Sequence, residues 1–318
     1  MSARVGVDLG GTKIAFAAVD EQHRVLTRSR APTPQGPEAV VDAIVEGVRE
    51  LDAAPVAVGV GAPGPVSGGV LMTAPNLVGF DRPAPLAEPL GRALGVPVAV
   101  ENDVTAGIIG EWSAGAARGS SFVLGVFLGT GIGGGLVLDG RPYRGAFGGA
   151  GEFGHMCVRQ GGALCGCSRR GCIEAYAGRA SMEHAIDVAV NKGRTTVLTA
   201  IAAEKGKVRL TSGVWARALE QGDPLARAVF GEGIAALAAG IGAAVNLLDL
   251  DRVVVGGGVA EKMGQPLVDR IAEEVQPYLL LPDVPRSFVV AELGDDAVVV
   301  GAAALADVPS LTLGLHPT

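Results

Sequence analysis

Two short glycine-rich segments, each set between runs of β-branched and apolar residues, constrain this chain more than any other feature. The first is Asp8-Leu-Gly-Gly-Thr-Lys13, with residues 5–9 reading as a strand before it and 14–19 as a returning strand after it. The second is Leu128-Gly-Thr-Gly-Ile-Gly-Gly-Gly135, between a strand at 122–128 and a returning strand at 136–138. An offset of 119 residues aligns Leu9-Gly10 with Leu128-Gly129 and Asp20 with Asp139. Two strand–glycine turn–strand units, each opening one half of the chain, predict a duplicated α/β architecture with a cleft between the halves.

The rest of the chain fits that frame. Val40, Val41, Ile44, Val45 and Val48 have helical spacing within 38–51. Residues 56–60 read as a buried strand ended by the stiff loop Gly61-Ala-Pro-Gly-Pro65, and 97–100 as another. A helix follows from Asn102 or Asp103 to about residue 113, since either side chain can cap its free N–H groups. Residues 224–248 form a long apolar helix, 252–255 a strand, and 296–306 a closing helix. The expected division is a first domain of residues 1–115, with 303–318 packing back on it, and a second of residues 116–302.

Composition narrows the function. With 48% hydrophobic and 19% charged residues, the chain supplies its own core. The net charge of −7, without a Lys/Arg run, argues against nucleic acid as a partner. The uncharged run 233–248, about sixteen residues, is short of the roughly twenty that span a bilayer, and reads as a buried helix. No signal peptide is legible at the N-terminus, so the expected location is cytoplasmic and no membrane is expected. All four cysteines fall between Cys157 and Cys172, where metal ligation is a better use for them than disulfides.

Adjacent glycines let main-chain N–H groups approach a polyphosphate, Thr12 adds a hydroxyl, and Lys13 a charge. Asp8, at a strand end, suits Mg²⁺, which prefers carboxylate and water oxygens. Neither turn is a Walker loop or a dinucleotide fingerprint, because apolar β-branched residues resume at once where those motifs open a helix. Gly256-Gly-Gly258 follows a strand, and suits either close contact with adenosine or tight strand-to-helix packing. Glu101-Asn-Asp103 offers a carboxylate that can accept a proton from an attacking hydroxyl, or alternatively a plain helix cap.

The strongest local signal is His155-x9-Cys165-x-Cys167-x4-Cys172. One imidazole and three thiolates in this span favour tetrahedral Zn²⁺ with no open position, hence a structural metal. Cys157 is a spare, with an unusually short spacing to His155. Glu152 and Glu174 bracket the cluster, and carboxylates gathered there suit sugar hydroxyls.

Together these motifs resemble the ROK family of sugar kinases and repressors, within the actin/hexokinase/Hsp70 ATPase (ribonuclease H-like) fold, over nearly the whole chain. The likeness is closest to glucokinases of the actinobacterial type. The family's zinc motif, G-x2-C-x-C-G-x2-G-C-x-E, is matched from Gly162 to Glu174 except at Ser168, where glycine is usual. That departure matters if the position has a positive φ. The resemblance implies that Asp8, Gly10, Gly11, Thr12, Lys13, Thr130, Gly131 and Gly257 contact ATP. It implies that Gly64, Asn102, Asp103, Glu152, His155 and Glu174 bind the sugar, with Asn76 a weaker candidate and Asp103 the catalytic base. The implied activity is transfer of the γ-phosphoryl group of ATP, with Mg²⁺, to the glucose 6-hydroxyl, domain closure excluding water. Other hexoses and N-acetylhexosamines, and polyphosphate as donor, are the alternatives. A sugar-sensing regulator would need a DNA-binding helix pair ahead of Asp8, where seven residues leave no room. The family implies homodimers or homotetramers.

Overall fold

The computed structural model describes residues 3–305. The described residues form two compact units: unit 1 gathers 3–119, 141–150 and 295–305, and unit 2 gathers 120–140 and 151–294. Residues 306–318, which the sequence reading joins to the first domain, lie outside the described residues.

In unit 1, β1 (Ala3–Leu9), β2 (Lys13–Val19) and β3 (Val25–Pro32) form an antiparallel meander. Parallel strands β4 (Pro55–Ala62) and β5 (Val98–Asn102) extend it, in the order β3-β2-β1-β4-β5. The helix α1 (Pro37–Glu50) buries Val40, Ile44 and Val48 at 0–1% exposure, the spacing expected of a core-facing stripe. The helix α2 (Asp103–Ala114) leaves the end of β5 directly. Against it, and against β1 and β4, packs the closing helix Ala297–Leu305. Two glycines make that approach possible: a Cβ at Gly59 would overlap the Ala302 carbonyl, and one at Gly301 the Ala106 carbonyl. The backbone of α2, which begins with Asp103, is thereby held against that helix.

Unit 2 repeats the scheme. Its hairpin is β6 (Val123–Leu128) with β7 (Ile132–Leu138), and parallel strands β8 (Arg252–Gly256) and β9 (Ser287–Val290) follow in the order β7-β6-β8-β9. The same antiparallel hairpin with parallel crossovers in both units is the duplicated architecture the two glycine turns predict. One expectation needs correction. The turn was expected to extend to Gly135, yet Gly133, Gly134 and Gly135 lie inside β7, opposite Phe127, Val126 and Gly125. Their use is proximity: a Cβ at Gly134 would sit 2.5 Å from both the Gly151 oxygen and the Phe153 Cβ.

The long helix of unit 2, α4 by position after α3 (Arg179–Asn191), runs Pro224–Leu248. At 25 residues, with an 18-residue stretch of mean hydropathy 1.8, it is long and apolar enough to cross a bilayer. The helix is nonetheless buried, as the sequence predicts, and its burial, not its length, decides the matter. Phe230, Ile234, Leu237, Ile241 and Val245, at three- and four-residue steps, are all at most 3% exposed in the core of unit 2. Asp223 caps its start, accepting from the Ala226 amide at 2.7 Å.

Candidate active site

In unit 1 the first glycine turn closes on itself: the Gly10 amide donates to the Lys13 carbonyl at 3.0 Å. Thr33 braces it from β3's exit, its hydroxyl donating to the Gly10 carbonyl at 2.7 Å and its amide to Thr12 at 3.2 Å. Gly11, Thr12 and Lys13 are exposed at the tip, and a Cβ at Gly11 would lie 2.8 Å from the Asn76 carbonyl oxygen. The structure thus brings Asn76 to this turn through its backbone.

Asn102, not Asp103, caps α2: its Oδ1 accepts from the amides of Val104 at 3.0 Å and Thr105 at 3.1 Å. Its Nδ2 donates to the Gly64 carbonyl at 3.3 Å and to Asp103 Oδ1 at 3.1 Å. Asp103 Oδ1 also accepts from Val104 N at 2.8 Å. Asn102 therefore ties the Gly-Pro loop to the catalytic candidate, and Gly64, Asn102 and Asp103 meet as expected. Gly64 has φ 148°, and a Cβ there would overlap the Thr73 carbonyl.

Asp8 feels Asp103. Burial first, then the charge of Asp103, pushes the Asp8 carboxyl up to about 6; Asp295 adds to the rise and Lys13 opposes it. The surroundings of Asp8 are thus net negative, which favours a cation beside it. Asp295 was not singled out from sequence; its only signal is an acidic pair ahead of the closing helix. Glu101, at the start of the Glu101-Asn-Asp103 motif, has a different place. It is buried, accepts from the Asn102 amide at 2.9 Å, and is ion-paired with Arg144.

In unit 2 the tip of the second turn, Gly129–Gly131, is held from three sides. Gly129 N donates to Gly131 O at 3.0 Å, Ala180 N to Thr130 O at 3.0 Å, and Ile132 N to Glu174 Oε2 at 2.9 Å. Gly257, with φ 82°, sits beside the strand leading into that turn: a Cβ there would lie 2.7 Å from the Leu128 oxygen. Of the two uses the Gly256–Gly258 cluster suits, the structure shows close packing, here against the backbone of Leu128.

His155, Cys165, Cys167 and Cys172 come together, with their ligand atoms all within 4.8 Å of one another. Cys165 Sγ lies 3.8 Å from His155 Nδ1, and Cys167 Sγ 3.7 Å from Cys172 Sγ. A tetrahedral zinc with Zn–S near 2.3 Å needs S–S edges of about 3.8 Å, so the donor set and its spacing fit the ion. Burial pushes the Cys165 thiol up to about 12 and raises that of Cys172, while a hydrogen bond from Arg169 holds Cys167 down to about 6. A cation among them is what would make three thiolates compatible. Nδ1 faces the cluster, which leaves Nε2 of His155 for another partner. Cys157 is exposed and outside the set, its Sγ donating to the Arg170 carbonyl at 3.5 Å.

Ser168, the departure from the glycine of the motif, has φ 67°. The position is left-handed, which costs a serine about 1–2 kcal/mol. Glu152 is exposed and precedes the short 3₁₀ turn Phe153–His155; its carbonyl accepts from the His155 amide at 3.0 Å. Glu174 is less free than a sugar-facing carboxylate would suggest. One oxygen takes the Ile132 amide, and the other lies 3.6 Å from Cys165 Sγ. It links the cysteine loop to the second glycine turn, a contact 42 residues apart that no local pattern signals.

Comparison with known proteins places the chain in a family. The model of the ROK family matches residues 4–308. A glucokinase of Streptomyces coelicolor is 39% identical over 324 residues, covering 97% of this chain and 99% of that protein. A glucokinase of Thermotoga maritima is 31% identical, covering 95% and 96%. Among solved structures, a ROK family glucokinase from Streptomyces griseus in complex with glucose and AMPPNP superposes with a TM-score of 0.80 at 34% identity, covering 96% of this chain and 99% of that one. The fold is that of the actin-like ATPases, and the chain belongs to the ROK family.

Proposed function

We propose that this chain is an ATP-dependent glucokinase, a phosphotransferase that moves the γ-phosphoryl group of ATP to the 6-hydroxyl of glucose. The observation that carries this reading is the placement of Asp8, at the end of β1 just before the first glycine turn, opposite Gly61 of β4, where a Cβ would lie 3.5 Å from the Cα of Asp103 at the head of α2. Phosphoryl transfer to a hydroxyl needs a phosphate-side carboxylate and a proton acceptor together, and asks the protein mainly for positioning and charge neutralisation. The full-length likeness to glucokinases supports glucose as acceptor.

In this mechanism Gly10, Gly11, Thr12 and Lys13 cradle the phosphates, as do Thr130 and Gly131, with Gly257 on the adenosine side. Asp8 would hold Mg²⁺, which neutralises phosphate charge. Asp103 orients the attacking hydroxyl and accepts its proton; Asn102 keeps Asp103 in place through the bond at 3.1 Å. Gly64, Asn102, Glu152, His155 and Glu174 hold the ring. His155, Cys165, Cys167 and Cys172 would bind Zn²⁺, which supplies structural rigidity to the loop that carries His155 and Glu174. The enzyme is further proposed to be cytoplasmic and to work as a homodimer or homotetramer, as the resemblance to the family implies.

The test is a coupled assay of purified protein with ATP, and separately with polyphosphate, against glucose, mannose, fructose, N-acetylglucosamine and N-acetylmannosamine. The reading expects the highest kcat/KM for glucose with ATP. Phosphorylation of an N-acetylhexosamine in preference to glucose, or of no sugar at all, would overturn it.

A further inference from the structure

Arg179 stands at the first position of α3 and touches the second glycine turn at two levels. Its backbone amide donates to the Gly129 carbonyl at 3.3 Å. Its guanidinium bridges two hydroxyls, Nη2 donating to Thr130 Oγ1 at 3.0 Å and Nη1 to Ser212 Oγ at 3.3 Å. Ser212 is buried at 9% exposure, so the far end of the bridge is anchored in the body of unit 2. Thr130 itself is exposed at the tip of the turn.

The direction of these bonds has a chemical consequence. A threonine hydroxyl has one proton to give and two lone pairs to accept with, and its proton otherwise rotates to suit its neighbours. An arginine can only donate. When Arg179 occupies a lone pair of Thr130 Oγ1, the hydroxyl cannot turn its proton toward Arg179 and must present it elsewhere. The positive charge at 3.0 Å also makes that proton a better donor to an anion.

We propose that Arg179 is a positioning residue for nucleotide binding: braced by Ser212, it fixes the Thr130 hydroxyl as a hydrogen-bond donor toward the phosphates of ATP. The inference rests on the reading of Thr130 as a phosphate contact, and deepens it by naming what sets that contact. Arg179 acts through Thr130, so its contribution exists only while the hydroxyl does.

A double-mutant cycle in the full-length enzyme tests this, with KM for ATP, KM for glucose and kcat measured for each variant and folding checked by thermal denaturation. Thr130→Val removes the hydroxyl and keeps the shape. It is expected to raise KM for ATP on the order of tenfold, the worth of one hydrogen bond to a charged group, with KM for glucose within twofold of wild type. Arg179→Ala is expected to raise KM for ATP several-fold with the same selectivity, and to add nothing in the Thr130→Val background. Ser212→Ala, which leaves the turn untouched, is expected to shift KM for ATP in the same direction by a smaller factor. Arg179→Lys, which retains one donor, is expected to fall between wild type and Arg179→Ala.

Two results separate the layers. If Thr130→Val leaves KM for ATP unchanged, the nucleotide reading of Thr130 fails and the proposal falls with it. If Thr130→Val raises KM for ATP but Arg179→Ala does not, or raises it by the same factor with or without the hydroxyl, the proposal alone is overturned. A fall in melting temperature with equal changes in both KM values would likewise overturn it, assigning Arg179 a purely structural part.

Discussion

Asp8→Asn is predicted to stabilise the nucleotide-free protein while it abolishes activity. In unit 1, burial and the neighbouring Asp103 lift the Asp8 carboxyl from its ordinary 3.8 to about 6. The folded form therefore holds its proton where the unfolded chain has already lost it. Between pH 4 and pH 6 the native state binds more protons, so stability falls as pH rises, and the loss is complete above about pH 7. A shift of that size corresponds to about 3 kcal/mol at 1.36 kcal/mol per pH unit. Asparagine keeps the shape and cannot ionise. The variant should match wild type near pH 4 and exceed it by about 3 kcal/mol at pH 7.5, a rise in Tm on the order of 6–10 °C for a unit this size. The assay is urea unfolding in EDTA without nucleotide, at pH 4.5, 6 and 7.5, followed through tryptophan fluorescence, with Trp112 in unit 1 on α2 and Trp215 in unit 2 as the two reporters. Adding Mg²⁺ and ATP should then stabilise wild type more than the variant. An Asp8→Asn protein no more stable than wild type at pH 7.5 would refute the burial of Asp8 beside Asp103 from which the prediction follows.

Three further perturbations separate structure from chemistry. Ser168→Gly relieves a left-handed serine at φ 67° and should stabilise the protein by about 1 kcal/mol with unchanged KM values, read by thermal unfolding and steady-state kinetics. Cys172→Ser should lose zinc by elemental analysis and raise KM for glucose together; a zinc-free variant with normal KM would break the link between the metal and the sugar loop. Gly301→Ala would drive a methyl group into the Ala106 carbonyl on α2, and should cost about 3 kcal/mol in urea unfolding.

Much of this site was legible residue by residue, because its chemistry lies in short contiguous motifs. Spacing alone exposed His155, Cys165, Cys167 and Cys172, and apolar runs flanking glycines exposed both hairpins. What the sequence left dark depends on contacts between distant segments. Nothing near Glu174 announces that it takes the amide of Ile132, and nothing near Arg179 announces Thr130. Gly133–Gly135 read as turn residues because glycine serves two ends; only the pressed contact with Gly151 and Phe153 distinguishes close approach from conformational freedom. The helix Pro224–Leu248 reads as buried from sequence and is so, although its full length and hydropathy also fit a membrane and its buried stripe is what decides between the two.

The most direct test of the central claim compares wild type with Asp103→Asn. Glucose binding is measured by calorimetry, and glucose 6-phosphate and ADP are quantified after incubation with ATP, Mg²⁺ and glucose. The account predicts equimolar glucose 6-phosphate and ADP from wild type. For the variant it predicts near-normal glucose affinity, with turnover lower by on the order of a hundredfold or more. Near-normal turnover in Asp103→Asn would contradict its role as the base, and absence of glucose 6-phosphate from the wild-type reaction would contradict the function itself.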